Sequence, residues 1–389
     1  MVQIGAIKSS SLIFKTFFQM TIPILQDSGV TSKCFPGGTF SHFLAVVSIL
    51  LSSGIYFSIP LAVKDKNIPL LVLLKTILST LSVLSSLTDS IVARTVQEYN
   101  LVYSTQQMVQ SIAWSFALLV AGYFIQVFGD EVLFPLVVCP KMAVAVLLYT
   151  LCSIAPLGVN NSVDDGPKMS LVGEYRALLQ TTMFMKLFVS IGVWGSCFAV
   201  METLTLYQMK TEFQFNNATT GYSSVFSIAG SVLVYYHTEY IIEKLGVHNL
   251  ILVGIYSGVL FLVIQSLLSF ETRIVSIATC GIRSFAYSCI WAGVMQLVLT
   301  EVDRNILTSV HNVINILWFT IGNTVAYTAW VRFYEDFGAR DTYFLCAVVL
   351  LGTSLLQDMG SIRRRFRIMT LFCFSLGALL LEYFNSSND

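Results

Sequence analysis

The sequence predicts an all-α, polytopic membrane bundle with about 10 full spans and further partial segments at its two ends. Three observations carry this. The 389 residues are 55% hydrophobic and only 11% charged, far from the roughly 25% charged of soluble domains, and mean hydropathy is +0.74. Apolar runs close to the ~20 residues that a helix needs to cross hydrocarbon recur along the chain. Short polar turns separate them, most clearly at Tyr236–Leu252, where Glu243, Lys244, Gly246 and His248 sit between two long apolar runs. Gly246 permits a chain reversal that a Cβ resists, so this stretch reads as a tight loop at a membrane face.

Residues 1–40 read as a leader. Their apolar patch, Leu12–Leu25, is interrupted by Lys15 and Gln19 and broken by Pro23. At about 15 residues it is too short to span, and no small-x-small cleavage site follows it. It is either an interfacial segment or the remnant of an extra span. Residues 41–157 form a partial N-terminal half with runs at His42–Val63, Pro69–Leu87, Val109–Phe128 and Val132–Ala155. The links Lys64–Ile68 and Gly129–Glu131 are so short that the helices they join are antiparallel neighbours. The polar stretch 158–182, with Asn160, Asp164, Asp165, Gly166, Pro167 and Lys168, is a linker between halves.

Residues 183–357 carry six runs: Phe184–Tyr207, Tyr222–Tyr236, Asn249–Phe270, Ile274–Leu299, Leu307–Val331 and Thr342–Gln357. Six in a row make one complete half of a two-half bundle. The tail, 358–389, places Arg363, Arg364, Arg365 and Arg367 ahead of Ile368–Leu381. That run of about 14 residues either crosses or lies in the interface, with its arginines near acidic headgroups.

Basic residues set the orientation. With the Tyr236–Leu252 turn in the cytoplasm, Lys8, Lys15, Lys33, Arg94, Lys168, Arg176, Arg304 and the 363–367 cluster also fall inside. Lys64, Lys66, Lys210, Arg273, Arg332 and Arg340 fall outside, an inside excess of about two to one, as the positive-inside rule requires. Asn217-Ala218-Thr219 then lies on an outer loop as a glycosylation acceptor, whereas Asn160-Asn161-Ser162 lies inside and stays unmodified. A net charge of zero provides no field for nucleic acid. The eight cysteines lie in or beside apolar runs without C-x-x-C spacing, and the four histidines are scattered, so no metal site is expected. Gly195-Ser196-Cys197 lacks the Gly-x-Ser-x-Gly spacing, and neither a P-loop nor His-Glu-x-x-His occurs. No enzyme and no cofactor are expected.

Ionisable groups inside spans cost roughly 2.5–3.5 kcal/mol at the centre on insertion scales, so each is a candidate site. Arg283 lies about 14 Å into its run, near the midplane of a ~30 Å core. It either binds an anionic or hydroxyl-rich solute or holds a carboxylate, or it is a structural arginine satisfied by helix carbonyls. Glu202 sits near the outer end of its run, as a boundary charge or a proton carrier. Lys75 is placed to snorkel. Asp89 ends its run as a boundary charge or a latch. His311, Asn312, Asn315 and Asn323 share the run Leu307–Val331, and Asn312 and Asn323 fall within ~20° of each other at 100° per residue. Lipid cannot satisfy amides, so this stripe faces the bundle interior or a wet cavity. It serves as a solute wall or as helix-helix glue. Tyr287 and Trp291, one and two turns beyond Arg283, either add stacking contacts or pack the core.

The order of features from Lys186 to Leu356 resembles the C-terminal half of a major facilitator superfamily transporter, in the lactose-permease and nucleoside-proton-symporter-like branch that includes animal major-facilitator-domain members. Glu243-Lys244-Leu245-Gly246-Val247-His248 is similar to the weaker second-half form of the superfamily's loop motif, and Phe333–Phe344 to the start of the branch's last helix. Leu87-Thr88-Asp89-Ser90 resembles its fourth helix, and Ser111-Ile112-Ala113-Trp114 with Gly122 its fifth. On this alignment His42–Val63 is the third helix, and the first two have no counterpart, which makes the N-terminal half incomplete. Thr31–Gly38 lacks the acidic residue of the stronger loop motif, and Tyr99-Asn100 and Gln106-Gln107 replace the residues usual before the fifth helix.

The resemblance implies a proton-coupled symporter that moves a small polar solute across the plasma membrane by alternating access. Arg283, Asn312, Asn315, Asn323, Tyr287 and Trp291 would hold the solute, and Glu202 or Asp89 would carry the proton. The alternative is a non-transporting receptor or partner-binding protein on a degenerate version of the fold. Oligomeric state is not legible.

Overall fold

The computed structural model describes residues 47–56, 69–70, 73–74, 77–78, 103–129, 132–154, 181–302 and 307–357. The leader, Lys75, Asp89, Asn160, most of Pro69–Leu87, nearly all of the linker and the tail lie outside the described residues. Among those described, every regular element is helical, as a chain in hydrocarbon requires when its backbone must satisfy itself.

Nine elements follow in order: α1 (Val47–Tyr56), α2 (Tyr103–Phe128), α3 (Leu133–Ile154), α4 (Thr182–Thr211), α5 (Asn217–Leu245), α6 (Val247–Leu267), α7 (Ile274–Glu301), α8 (Leu307–Asn315) and α9 (Val331–Gln357). Wide-turn helix joins α8 to α9: π-helical Ile316–Gly322, a single turn Asn323–Val325 and π-helical Ala326–Trp330. α9 is interrupted at Gly338 (φ 86°, ψ 179°), between the two runs expected at Leu307–Val331 and Thr342–Gln357. The Thr342 hydroxyl donates back to the Gly338 carbonyl at 2.7 Å and steadies the restart.

α5 departs most from the expected Tyr222–Tyr236. It has 29 residues, about 43 Å at 1.5 Å per residue, so its ends project beyond a ~30 Å core. Asn216 caps its start, accepting from the Thr219 N–H at 2.7 Å, the bond that favours Asn at this position. At its other end Gly246 (φ 80°) alone separates α5 from α6. The Tyr236–Leu252 turn is therefore one residue wide, with Glu243 and Lys244 in the last helical turn and His248 in the first turn of α6.

Four described helices, Tyr103–Phe128, Met183–Thr211, Val247–Leu267 and Ile274–Glu301, are long and apolar enough to cross a membrane. α5 is long enough but not apolar enough, because its buried face is Gly221, Ser223, Ser224, Ser227 and Ser231. Small residues let backbones approach, the usual basis of helix association in lipid. Gly122 on α2 meets Gly221, and Gly230 meets Gly281 on α7. The main apolar core gathers α4, α6, α7, α8 and α9 around Trp194, Ile191, Ile255, Ile290 and Tyr343. A smaller cluster, Val234, Tyr235, Leu250, Cys289 and Ala292, seats α5 on α6 and α7. α2 by contrast exposes Val109, Trp114, Phe116 and Phe128, a surface suited to lipid.

Candidate functional site

Arg283 is the tenth residue of α7, about 14 Å from its start. It is half-buried, and its Nη1 donates to the Met201 carbonyl of α4 at 3.3 Å. A guanidinium carries five N–H donors, and no described carboxylate pairs with this one. Glu202, next to Met201, is exposed and forms no ion pair with Arg283 among the described residues. Of the roles expected for Arg283, the contact with a helix carbonyl is present. That bond to Met201 is the one its guanidinium makes among the described residues.

Along the same face of α7, Tyr287 and Trp291 follow at four-residue intervals, the spacing that brings side chains together on a helix. Their rings stack at 6.0 Å and 8°. Phe198 of α4 meets Tyr287 edge-on at 6.0 Å, and Trp318 from the first π-helical stretch meets Tyr287 at 5.7 Å and 78°. Phe198 and Trp318 also contact each other at 5.4 Å. Trp291 is 4% exposed, whereas Tyr287 keeps part of its surface open. Trp291 is thus packed in the core, while Tyr287 is half-buried at its edge.

His311, Asn312 and Asn315 are buried and Asn323 is half-buried. His311 lies 6.5 Å from the Trp291 ring, and its Nδ1 is buried without a hydrogen-bond partner. The single-stripe expectation for Asn312, Asn315 and Asn323 assumed α-helical rotation throughout. π-helix bonds i to i+5 and puts more residues in each turn, so the seven-residue stretch Ile316–Gly322 turns Asn323 away from that register. Close by, the Tyr327 and Thr203 hydroxyls lie 3.4 Å apart. The structure thus brings Arg283, Tyr287 and Trp291 together with α4 and the π-helical stretch; it does not align all three asparagines.

The remaining expected residues lie elsewhere. Glu243, Lys244 and His248 are exposed around Gly246 at the α5–α6 turn, with the Lys244 ammonium 5.3 Å from the Tyr240 ring. Asn217 is the first residue of α5 and half-buried; its backbone N–H donates to Gln126 Oε1 at 3.2 Å. One intramembrane cation escaped the sequence reading. Lys141, the ninth residue of α3, donates to Ser52 Oγ at 3.2 Å and lies 4.4 Å over the Tyr56 ring. A lysine in mid-run beside Pro140 was the available signal.

No curated protein matches the chain by sequence. Several solved structures share its fold. The nucleoside transporter NupG aligns with TM-score 0.63 and 13% identity over 92% of this chain and 89% of its own. The human organic anion transporter MFSD10 aligns with TM-score 0.58 and 14% identity over 91% and 83%. The E. coli fucose:proton symporter FucP aligns with TM-score 0.55 and 12% identity over 92% of both chains. The family model of the Major Facilitator Superfamily matches residues 4–327. With that match covering most of its length, and with a transporter fold around an intramembrane arginine, the chain belongs to the Major Facilitator Superfamily.

Proposed function

We propose that this protein is a secondary active transporter that carries a small polar solute across a membrane by alternating access, coupled to protons. The observation that carries this reading is Arg283, a cation in mid-span with one carbonyl bond and no described carboxylate partner. Such a charge is expensive in a bilayer and is retained where it has work to do. Arg283 and Tyr287, with Asn312 and Asn315 on the neighbouring helix, are the proposed solute-binding residues; Trp291 backs Tyr287 from the core, and Asn323 lies off their register. Glu202, one residue beyond the carbonyl that Arg283 holds, or Asp89 is the proton-linked carboxylate.

The two halves, residues 41–157 and 183–357, rock about this wall. The fold neighbours named for nucleoside, organic anion and fucose:proton transport support the reading without choosing among solutes. The plasma membrane is the proposed location. The test is uptake by the purified chain in liposomes under an inward proton gradient, with sugars, nucleosides, amino acids and polyamines as solutes. Gradient-driven uptake of one class, abolished by Arg283→Ala in a folded protein, is the expected result. A folded chain that takes up nothing moves the reading to a receptor or partner-binding protein.

A further inference from the structure

His311 is the one buried imidazole among the described residues: it is 3% exposed, whereas His237 and His248 lie open. It is the fifth residue of α8, with Val310 and Ile314 of the same helix in the apolar core, and the Trp291 ring of α7 lies 6.5 Å away at 57°. A neutral imidazole carries one N–H donor and one bare acceptor nitrogen. The His311 Nδ1 has no hydrogen-bond partner, so in either tautomer a buried polar atom goes unmet and the ring bears its desolvation cost in full. Leucine would fill this space without that cost. Packing alone therefore does not account for an imidazole here.

From this placement we infer that His311 is a proton-carrying side chain of the transport cycle: its bare nitrogen takes a proton from one side of the membrane, and the resulting imidazolium yields it to the other. The inference rests on the transporter reading and adds a second proton group to the carboxylate at Glu202 or Asp89. Histidine ordinarily changes charge between about pH 5 and 8, and ionisable groups inside spans mark proton routes. Helices α4 and α7 pack against this part of the chain. Their charged side chains are Lys186, Glu202 and Lys210 on α4 and Arg283 and Glu301 on α7, while the π-helical stretch after α8 has none. Their cysteines and tyrosines are neutral in that pH range. Along α7, Arg283 is about 12 Å from Trp291 toward one end and Glu301 about 15 Å toward the other. Among the described residues none of these pairs with His311. A proton on the ring would thus be an unpaired buried charge, so taking it up has to move the ring toward water or an acceptor. The means adjoin it: Asn315, one turn on, carries an amide oxygen, and the π-helical turns that begin at Ile316 are a local irregularity of the kind found at functional sites.

The experiment uses the full chain in lipid nanodiscs and follows tryptophan fluorescence from about pH 8 to 4.5, where histidine gains its proton. An imidazolium quenches an adjacent indole, and of the described rings around Trp291 only His311 titrates in this range. The expected result is a quenching step that His311→Gln removes, that Trp291→Phe also removes, and that survives the combined His42→Gln, His237→Gln and His248→Gln changes. No step in the unaltered chain, or a step that persists in His311→Gln, overturns the inference. If His311→Gln does not fold, Trp291→Phe decides: loss of the step supports the assignment, and its persistence overturns it.

Uptake in liposomes separates this inference from the transporter reading. Loss in His311→Gln of the stimulation by an inward proton gradient supports both. Undiminished stimulation keeps transport and overturns the role of His311. A His311-dependent fluorescence step in a chain that takes up no solute supports the proton site and removes transport.

Discussion

Glu212 caps the end of α4 where Tyr334 of α9 reaches it: the Tyr334 hydroxyl donates to Glu212 Oε1, and Gln208 Nε2 donates to Oε2 at 3.0 Å. Tyr334 is 7% exposed, and its ring meets Tyr207 edge-on at 5.9 Å. A hydrogen bond to a charged acceptor stabilises more than a neutral one, although measured values between membrane helices are modest, so about 1 kcal/mol is expected here. Tyr334→Phe and Glu212→Gln should each lower the unfolding midpoint, and the double variant should fall little below the worse single one. Strict additivity in that double-mutant cycle would mean that the two groups do not interact. Neither partner stood out in the sequence, because a tyrosine and a glutamate 122 positions apart have no shared periodicity. Arg283 was legible from depth alone, yet its partner was not. The Met201 carbonyl belongs to the backbone, and a backbone acceptor leaves no trace in residue type.

At the scale of elements, α6 and α7 were legible nearly to their ends because apolar side chains cover them almost all round. α5 was not, and its serines explain why. Ser223, Ser224 and Ser227 return their hydroxyls to the carbonyls of Thr220, Gly221 and Ser223 at 2.7, 2.7 and 3.2 Å. They count as polar in a hydropathy reading but satisfy their hydroxyls within the helix, with Ser227 also reaching the Cys280 carbonyl of α7 at 3.4 Å. Their smallness admits the neighbouring helices instead. A methyl group on Gly230 would overlap the Gly281 carbonyl, so Gly230→Val should push α5 off α7 and cost more than about 2 kcal/mol, a typical overpacking penalty. Gly352→Ala is the control: nothing lies within 4 Å of its position, and helix propensity favours the change by up to about 1 kcal/mol. Melting curves of the purified variants should separate in opposite directions; similar curves would refute the close α5–α7 contact. The π-helical turns between α8 and α9 were illegible for a different reason. An extra residue per turn alters rotation without altering composition, and it separates Asn323 from Asn312.

For the whole molecule, the basic-residue count predicts that the α5–α6 turn is cytoplasmic, and α5 extends that prediction to both faces. Asn217 begins this 29-residue helix and Lys244 lies in its last turn, about 40 Å away along the axis, so an α5 that crosses within the bundle puts the two at opposite membrane surfaces. Glu271, exposed in the turn between α6 and α7, belongs with Asn217, since α6 runs back across. The expected outcome is that a membrane-impermeant maleimide applied to intact cells labels Glu271→Cys but not Lys244→Cys, which becomes reactive only after permeabilisation. Asn217 then carries any glycan and Asn160 none. The reverse labelling pattern would invert the chain and place Asn217 inside. Orientation also decides which side reaches Arg283 first. The guanidinium lies about 14 Å from the Glu271 end of α7 and about 27 Å from the Glu301 end. On the proposed transport reading, with the Glu271 end outside, an external solute has the shorter path to the cation, and a solute leaving inward passes the level of Tyr287. Variants of Tyr287 should therefore slow release to the inside more than binding from the outside, which exchange and net-uptake rates in oriented vesicles will compare.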